Sequence, residues 1–228
     1  MKYKLAIFDL DGTLLDTIDD LGAAVNHAMR LRGFPQHTRD EYMRMVGHGA
    51  RNLMRQALPD GHKDDEMVEA AYNDFRAYYT DHIDVHTKPF PGIQELLSTL
   101  HQHCMLLAVA SNKFQEGTEH LIKEFFPEIP FVAILGNRPN FPLKPSPEIV
   151  EEVLRKAGVK IEEAVMVGDS ETDMETAANG DIDAIAVGWG YRNMRDYKVP
   201  EPVEGPIVLQ QRPQFVNSAK ELQKTLLP

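Results

Sequence analysis

Cysteine is nearly absent from this chain. Cys104 is the only one in 228 residues, so no internal disulfide can form and a reducing, cytoplasmic setting is expected. Because Cys104 opens an apolar run, an inert, buried thiol is the expectation for it. Apolar runs of membrane-spanning length are also lacking, which excludes a helical transmembrane protein. Met1-Lys2-Tyr3-Lys4 leads straight into a strand-like segment, so no signal peptide is expected. Positive charge is scarce: 24 Lys and Arg face 35 Asp and Glu, a net −11. That balance argues against nucleic acid, whose binding is dominated by phosphate neutralisation. An anionic small substrate would have to be attracted locally, by a cation or a few placed basic groups. Internal repeats and low-complexity tracts are missing as well. What remains is ordinary globular composition, 43% hydrophobic and 26% charged, long enough for one core or a core plus a small satellite.

The most informative stretch is Phe8-Asp9-Leu10-Asp11-Gly12-Thr13. Leu5-Ala6-Ile7-Phe8 before it is a short apolar run of the kind that makes a buried parallel strand. Gly12 permits a sharp turn at its end. Two carboxylates are thereby offered past the carboxyl end of a strand, where open α/β sheets bind ligands. Spaced two apart, Asp9 and Asp11 can converge on one hard cation or one phosphoryl group.

From Asp16 to about Ile83 the pattern is helical. Ile18, Leu21, Val25, Ala28, Met29 and Leu31 form a stripe ending at Gly33-Phe34-Pro35, and Thr38 with Glu41 predicts a capping box for a second helix. Val46-Gly47-His48-Gly49 leads into a third helix, and a long fourth covers roughly Asp64 to Ile83. From Pro89 onward strands and helices alternate. Predicted strands are Cys104 to Ala110, ending at Ser111-Asn112-Lys113; Phe131 to Leu135; Ala164 to Val167, ending at Gly168-Asp169; Ile182 to Val187; and Ile207-Val208-Leu209. Ser146-Pro147 is read as the start of a helix, and a last helix is expected over Phe215 to Leu227. Such alternation predicts a doubly wound parallel sheet, a Rossmann-like α/β core. The domain division expected is residues 1–14 and 86–228 for the core and 15–85 for a small helical cap inserted after the first strand.

Parallel strands place their carboxyl ends on one edge, so Asp9, Asp11, Ser111, Asn112, Lys144, Asp169 and Asp173 should converge. Four of these are acidic. A like-charge pair near 4 Å costs on the order of 4 kcal/mol at an effective dielectric of 20, and Lys144 alone cannot offset several such pairs. A bound divalent cation resolves the conflict, and an all-oxygen ligand set favours Mg2+.

Asp9-Leu10-Asp11-Gly12-Thr13, Ser111, Lys144 and Gly168-Asp169 with Asp173 together resemble, in order and spacing, the four motifs of the haloacid dehalogenase-like phosphohydrolases. By that resemblance Asp9 is the nucleophile, forming an aspartyl-phosphate, and Asp11 is the acid and then the base. Lys144 and Ser111 would hold phosphoryl oxygens, with Gly12, Thr13 and Asn112 also at the substrate. Asp9, Asp169 and the backbone carbonyl of Asp11 would bind Mg2+, with Asp173 acting from behind them. The resemblance excludes dehalogenases, which lack the second aspartate, and phosphonate-cleaving members, which need a cap lysine: the cap contains only Lys63 before Lys88, and Lys63 falls in a polar turn.

Val46-Gly47-His48-Gly49-Ala50-Arg51 is similar to the cap loop of phosphoglycolate phosphatases, and His48 and Arg51 could then reach a substrate carboxylate. Two departures from the family pattern stand out, Arg138 within Gly136-Asn137-Arg138-Pro139-Asn140, which could alter what the site accepts, and Asn179-Gly180-Asp181. His101-Gln102-His103 has metal-like spacing but is read as a solvated pair. The expected function is a magnesium-dependent phosphatase acting on a small phosphorylated metabolite, phosphoglycolate first, as a monomer or homodimer. Alternatives are a sugar-phosphate mutase or pyrophosphatase of the same fold, or a non-catalytic phosphometabolite-binding module.

Overall fold

The structure, a computed structural model, describes residues 2–195, 197 and 213–227. Its elements run β1 (Leu5–Phe8), β2 (Leu15–Asp16), α1 (Ile18–Leu31), α2 (Arg39–Met45), α3 (Ala50–Ala57), α4 (Asp65–Asp81), β3 (Lys88–Pro89) and α5 (Ile93–Gln102). They continue as β4 (Leu106–Phe114), α6 (Gln115–Phe125), β5 (Phe131–Asn137), α7 (Glu148–Ala157), β6 (Ala164–Gly168), α8 (Glu171–Asn179), β7 (Asp183–Val187), β8 (Gln214–Val216) and α9 (Ala219–Leu226).

Six strands form one parallel sheet in the order β5-β4-β1-β6-β7-β8. β1 lies near its middle, in register with Leu106 to Val109 on one side and Ala164 to Val167 on the other. Its side chains alternate between two separate apolar clusters. Ala6 and Phe8 join the one that includes Leu96, Leu97 and Leu100 of α5, while Leu5 and Ile7 join Ile149, Val150 and Val153 of α7. Both faces of the strand are therefore buried under helices, which is why it reads as an unbroken apolar run. The predicted doubly wound α/β core is the fold observed.

Helices α1 to α4 pack on one another beside the carboxyl edge of that sheet. The predicted capping box is present, with the Glu41 carboxylate accepting from Thr38 N–H at 2.7 Å. The chain enters this helical block after β2 and leaves through β3, and the two crossings are zipped together antiparallel, Leu15 facing Pro89 and Asp16 facing Lys88. A buried carboxylate reinforces them: Asp20 accepts from His86 N–H at 2.9 Å, Thr87 N–H at 2.8 Å and the Thr87 hydroxyl at 2.8 Å. Nothing in the sequence marked Asp20, because its partners lie 66 and 67 residues away.

Three expectations need correction. Strand β4 does not stop before Ser111 but continues through Phe114, whose pairing with Asn137 of β5 outweighs the polar Ser-Asn-Lys composition. Cys104 is exposed: it sits in the turn before β4 with φ 61°, and Leu107 rather than Cys104 begins the buried run. The final helix starts at Ala219, and Phe215 belongs to β8 beside β7. The strand expected at Ile207-Val208-Leu209 lies outside the described residues. His101 and His103 are exposed, as expected. Among the described residues no helix is long and apolar enough to cross a membrane.

Candidate active site

The loop after β1 is tightly folded. The Leu10 carbonyl accepts from Leu14 and Leu15 N–H, both at 3.0 Å, and Gly12 takes φ 90°. A Cβ at Gly12 would overlap the Asp169 carboxylate, so glycine is required both for the backbone angle and for the close approach. This turn aims Asp9 and Asp11 at a cavity of about 60 Å³, lined also by Ser111, Asn112, Lys113 and Lys144.

Asp9 and Asp173 share Lys144. Its ammonium donates to Asp9 Oδ1 at 2.8 Å and to Asp173 Oδ1 at 2.6 Å, all three side chains being almost wholly buried. Asp173 is fixed from the other side by the start of α8, its Oδ2 accepting from Ser170 N–H at 3.1 Å and the Ser170 hydroxyl at 2.6 Å. Both of its oxygens are therefore occupied. Asp9 Oδ2, in contrast, has no hydrogen-bond partner among the described residues, and Asp9 lines the cavity. A carboxylate with one oxygen held and the other open is arranged to attack or to coordinate.

Asp169 sits at the end of β6, with Oδ2 accepting from Tyr191 N–H at 2.7 Å and Oδ1 from the Thr13 hydroxyl at 3.3 Å. Carboxylate oxygens of Asp9, Asp169 and Asp173 lie within 4.8 Å of one another. Three buried carboxylates against one ammonium leave two negative charges uncompensated. Burial, only partly offset by Lys144, pushes the Asp9 carboxyl up to about 7, and burial with the charges of Asp173 and Asp9 holds Asp169 well above the usual carboxylate range. Burial alone would depress the Lys144 ammonium, but Asp173 and Asp9 outweigh it and raise it. An all-oxygen set with two charges in excess fits a divalent cation. Asp173 is held by an ammonium and two Ser170 donors, whereas Asp169 has one donor on each oxygen, the one from Thr13 long at 3.3 Å, and Asp9 Oδ2 has none, so Asp9 and Asp169 keep the most acceptor capacity.

Ser111 is buried on the cavity wall, its oxygen accepting from Lys113 N–H at 3.2 Å, which leaves its proton free to donate inward. The Asn112 side chain is spent structurally. It accepts from Lys144 N–H at 2.8 Å and donates at 3.1 Å to the Lys144 and Gly47 carbonyls, tying the helical block to the Lys144 loop. Asp11 takes no part in the carboxylate triad through its side chain. It accepts from the Thr17 hydroxyl at 2.6 Å and from the Lys113 ammonium at 2.9 and 3.1 Å. Lys113 was passed over in the sequence as the polar terminator of a strand. Its signal was available: it belongs to the second of the strand-end clusters and is basic.

Other predicted site residues lie elsewhere. Thr13 is fully buried on Asp169, and neither Gly12 nor Thr13 lines the cavity; they shape Asp169 instead. Arg51 is exposed and bidentate to Glu69 of α4, at 2.7 Å through both nitrogens, with its guanidinium 4.1 Å from the Tyr72 ring centre. It does not reach the cavity, because on α3 it shares a face with α4 rather than with the sheet edge. His48 is exposed and meets the Thr172 hydroxyl at 3.2 Å. Arg138 pairs with Glu152 and covers Phe141, away from the cavity. Lys63 pairs with Asp60 at the surface.

Comparison with known proteins agrees with this geometry. A family model described as haloacid dehalogenase-like hydrolase matches residues 6–187. The phosphoglycolate phosphatase of Mesorhizobium japonicum is 33% identical over 202 residues, 87% of this chain and 89% of that relative. That of Aquifex aeolicus is 31% identical over 82% of this chain and 86% of its own length. The crystal structure of a phosphoglycolate phosphatase candidate from Lactobacillus delbrueckii subsp. bulgaricus has a TM-score of 0.87 at 33% identity, covering 100% of this chain and 99% of that one. With the strand-end carboxylates, the lysine and the sheet order in place, the chain belongs to the haloacid dehalogenase-like hydrolases, among their phosphoglycolate phosphatase-like members.

Proposed function

We propose that this protein is a magnesium-dependent phosphatase of small phosphate monoesters, phosphoglycolate first among them. The observation that carries the reading is convergence: Asp9, Asp11, Ser111 and Lys144, from residues up to 135 apart, line one cavity with an Asp9 oxygen open to it. Phosphoryl transfer asks for alignment and charge neutralisation, and this arrangement supplies both.

In the first step Asp9 Oδ2 attacks phosphorus. A phosphorus–oxygen bond forms as the one to the leaving alkoxide breaks, and Asp11 donates the proton that the alkoxide takes. Asp11, now a carboxylate, withdraws a proton from water, whose oxygen attacks the aspartyl-phosphate and returns Asp9 as a carboxylate with inorganic phosphate released. Lys144 and the Ser111 hydroxyl bind the phosphoryl oxygens. Asp9, Asp169 and the Asp11 backbone carbonyl would hold Mg2+, which when bound neutralises charge on the phosphoryl group. The helical block of residues 15–85 acts as the cap, its zipped crossings at Asp16 and Lys88 serving as the hinge.

The test is inorganic phosphate release from phosphoglycolate with Mg2+, by wild type and by Asp9→Asn. Wild type should turn over and Asp9→Asn should not, while both keep the same circular dichroism. Release by Asp9→Asn at more than a few per cent of the wild-type rate would refute the nucleophile. Isomerisation of a sugar 1-phosphate without release would point to a mutase instead.

A further inference from the structure

We infer that Lys113 and Tyr79 form the subsite for a carboxylate on the substrate, and that this subsite, rather than the Arg51 loop, selects acid phosphates over sugar phosphates. The inference rests on the phosphatase reading of the same cavity.

The cavity has two basic side chains among the described residues lining it, Lys144 and Lys113. Lys144 is locked between Asp9 and Asp173 at the phosphoryl end. Lys113, 7% exposed, donates to Asp11 and, at 2.8 Å, to the phenol oxygen of Tyr79 on α4. A phenol that accepts from an ammonium must point its own proton elsewhere, and no acceptor for it exists among the described residues. Tyr79 is fully buried and lines the cavity, so that proton is an unpartnered donor at the wall. Burial and the neighbouring Asp11 hold the phenol well above its ordinary range, so it remains a donor at any working pH. Asp11 does not depend on Lys113 for its position, because the Thr17 hydroxyl grips it at 2.6 Å. The three Lys113 donors already meet Asp11 and Tyr79, so a carboxylate here would take the charge-assisted hydrogen bond of the Tyr79 hydroxyl and the nearby positive charge of the ammonium.

The remaining side chains of the helical block on the wall are apolar: Leu21, Val46, Leu53 and Phe75 offer no polar side-chain atom, and among the described residues Tyr79 has the only one there. A polyhydroxylated leaving group would bury several hydroxyls without partners, each a penalty, whereas a short chain ending in a carboxylate leaves nothing unpaired. Two lysines on the wall of one small cavity, Lys144 on Asp9 and Lys113 on Asp11 and Tyr79, match a substrate with two anionic groups. Phosphoglycolate has that shape, and other short phosphorylated hydroxy acids share it.

The experiment compares phosphoglycolate with ethyl phosphate, which replaces the carboxylate by a methyl group, for wild type, Tyr79→Phe and Lys113→Met. The readout is the ratio of the two kcat/KM values, which general damage to the site does not move. The ratio should fall roughly tenfold in Tyr79→Phe and roughly a hundredfold in Lys113→Met, the sizes expected for charge-assisted hydrogen bonds. A wild type that prefers phosphoglycolate, with variants that keep its ratio, would overturn the subsite while leaving the proposed function standing. A wild type that prefers ethyl phosphate would overturn both. Should Lys113→Met fail to fold, the isosteric Tyr79→Phe decides alone, a ratio unchanged within twofold counting against the subsite.

Discussion

Replacing Asp9 by asparagine should make the metal-free protein more stable at pH 8 while silencing it. In the folded chain burial pushes the Asp9 carboxyl up to about 7, against 3.8 for an unperturbed aspartate side chain. Between those values the folded chain holds a proton that the unfolded chain has released, so stability falls as pH rises through that window. At pH 8 both states are ionised and the full penalty stands, about 4 kcal/mol from the gap between the two values. Asparagine carries no charge and escapes it, and its amide oxygen can still accept from Lys144. Lys144 also keeps Asp173 at 2.6 Å, so the variant does not orphan the ammonium. Allowing for relaxation around a buried charge, a gain of about 2–4 kcal/mol is expected at pH 8, shrinking towards zero near pH 4. Asp169 is raised as well, which is why two proteins must be compared rather than one profile read.

Urea unfolding in EDTA, at steps from pH 4 to pH 8, measures the difference directly. Adding Mg2+ should then shrink or reverse the order, because the wild type regains a counter-charge that the variant cannot use as well. A gap independent of pH, or a variant less stable than wild type at pH 8 in EDTA, would refute the claim that Asp9 is a buried charge held for a cation.

Magnesium at a hundredfold its dissociation constant should stabilise the wild type by about 2.7 kcal/mol, several degrees in a thermal melt, and Asp169→Asn should abolish most of that shift. An unchanged melting temperature in Mg2+ and in EDTA would sink the metal site. Asp20→Ala removes the carboxylate that three donors of residues 86–87 share, and should cost about 2–4 kcal/mol in urea unfolding through unpaired buried donors. A cost below about 0.5 kcal/mol would show that the crossings do not need it. Arg51→Ala should leave kcat/KM for phosphoglycolate within about twofold, because it breaks an exposed pair with Glu69 and a contact with the Tyr72 ring, neither of them at the cavity. A tenfold loss would return Arg51 to the substrate.

Backbone direction was readable from the sequence, and with it the core of the site. A short apolar run followed by Asp-x-Asp-Gly could only place its carboxylates beyond the strand end, and the parallel sheet then brought Ser111, Lys144 and Asp169 to the same edge. The places where the structure departs from expectation have a common physical cause. Each concerns where a long side chain, or a strand end, finds its partner across the fold. Arg51 stands in a motif that faces the cavity through its glycines, but which way a guanidinium swings depends on Glu69, eighteen residues off on a neighbouring helix. Lys113 looked like the polar end of a strand because its three donors meet Asp11, 102 residues earlier, and Tyr79, 34 earlier. Thr13 looked like a phosphate ligand until the Asp169 turn closed over it.

These departures run in one direction, and that bears on how the substrate end of the site should be sought. Residues fixed by strand ends are constrained by topology, so their chemistry follows from the motif. Residues on the helical block answer to packing. There the motif named a loop whose Gly47 and Gly49 do line the cavity, and the side chains that packing adds beside them are apolar but for one buried phenol. A basic residue in a cap motif is a poor guide to specificity when an acidic partner lies within reach on the next helix. A buried donor with no acceptor is a better one, since a folded protein seldom leaves such a group unpaired without a ligand to complete it. By that criterion Tyr79, which no motif marks, outranks Arg51, which one does.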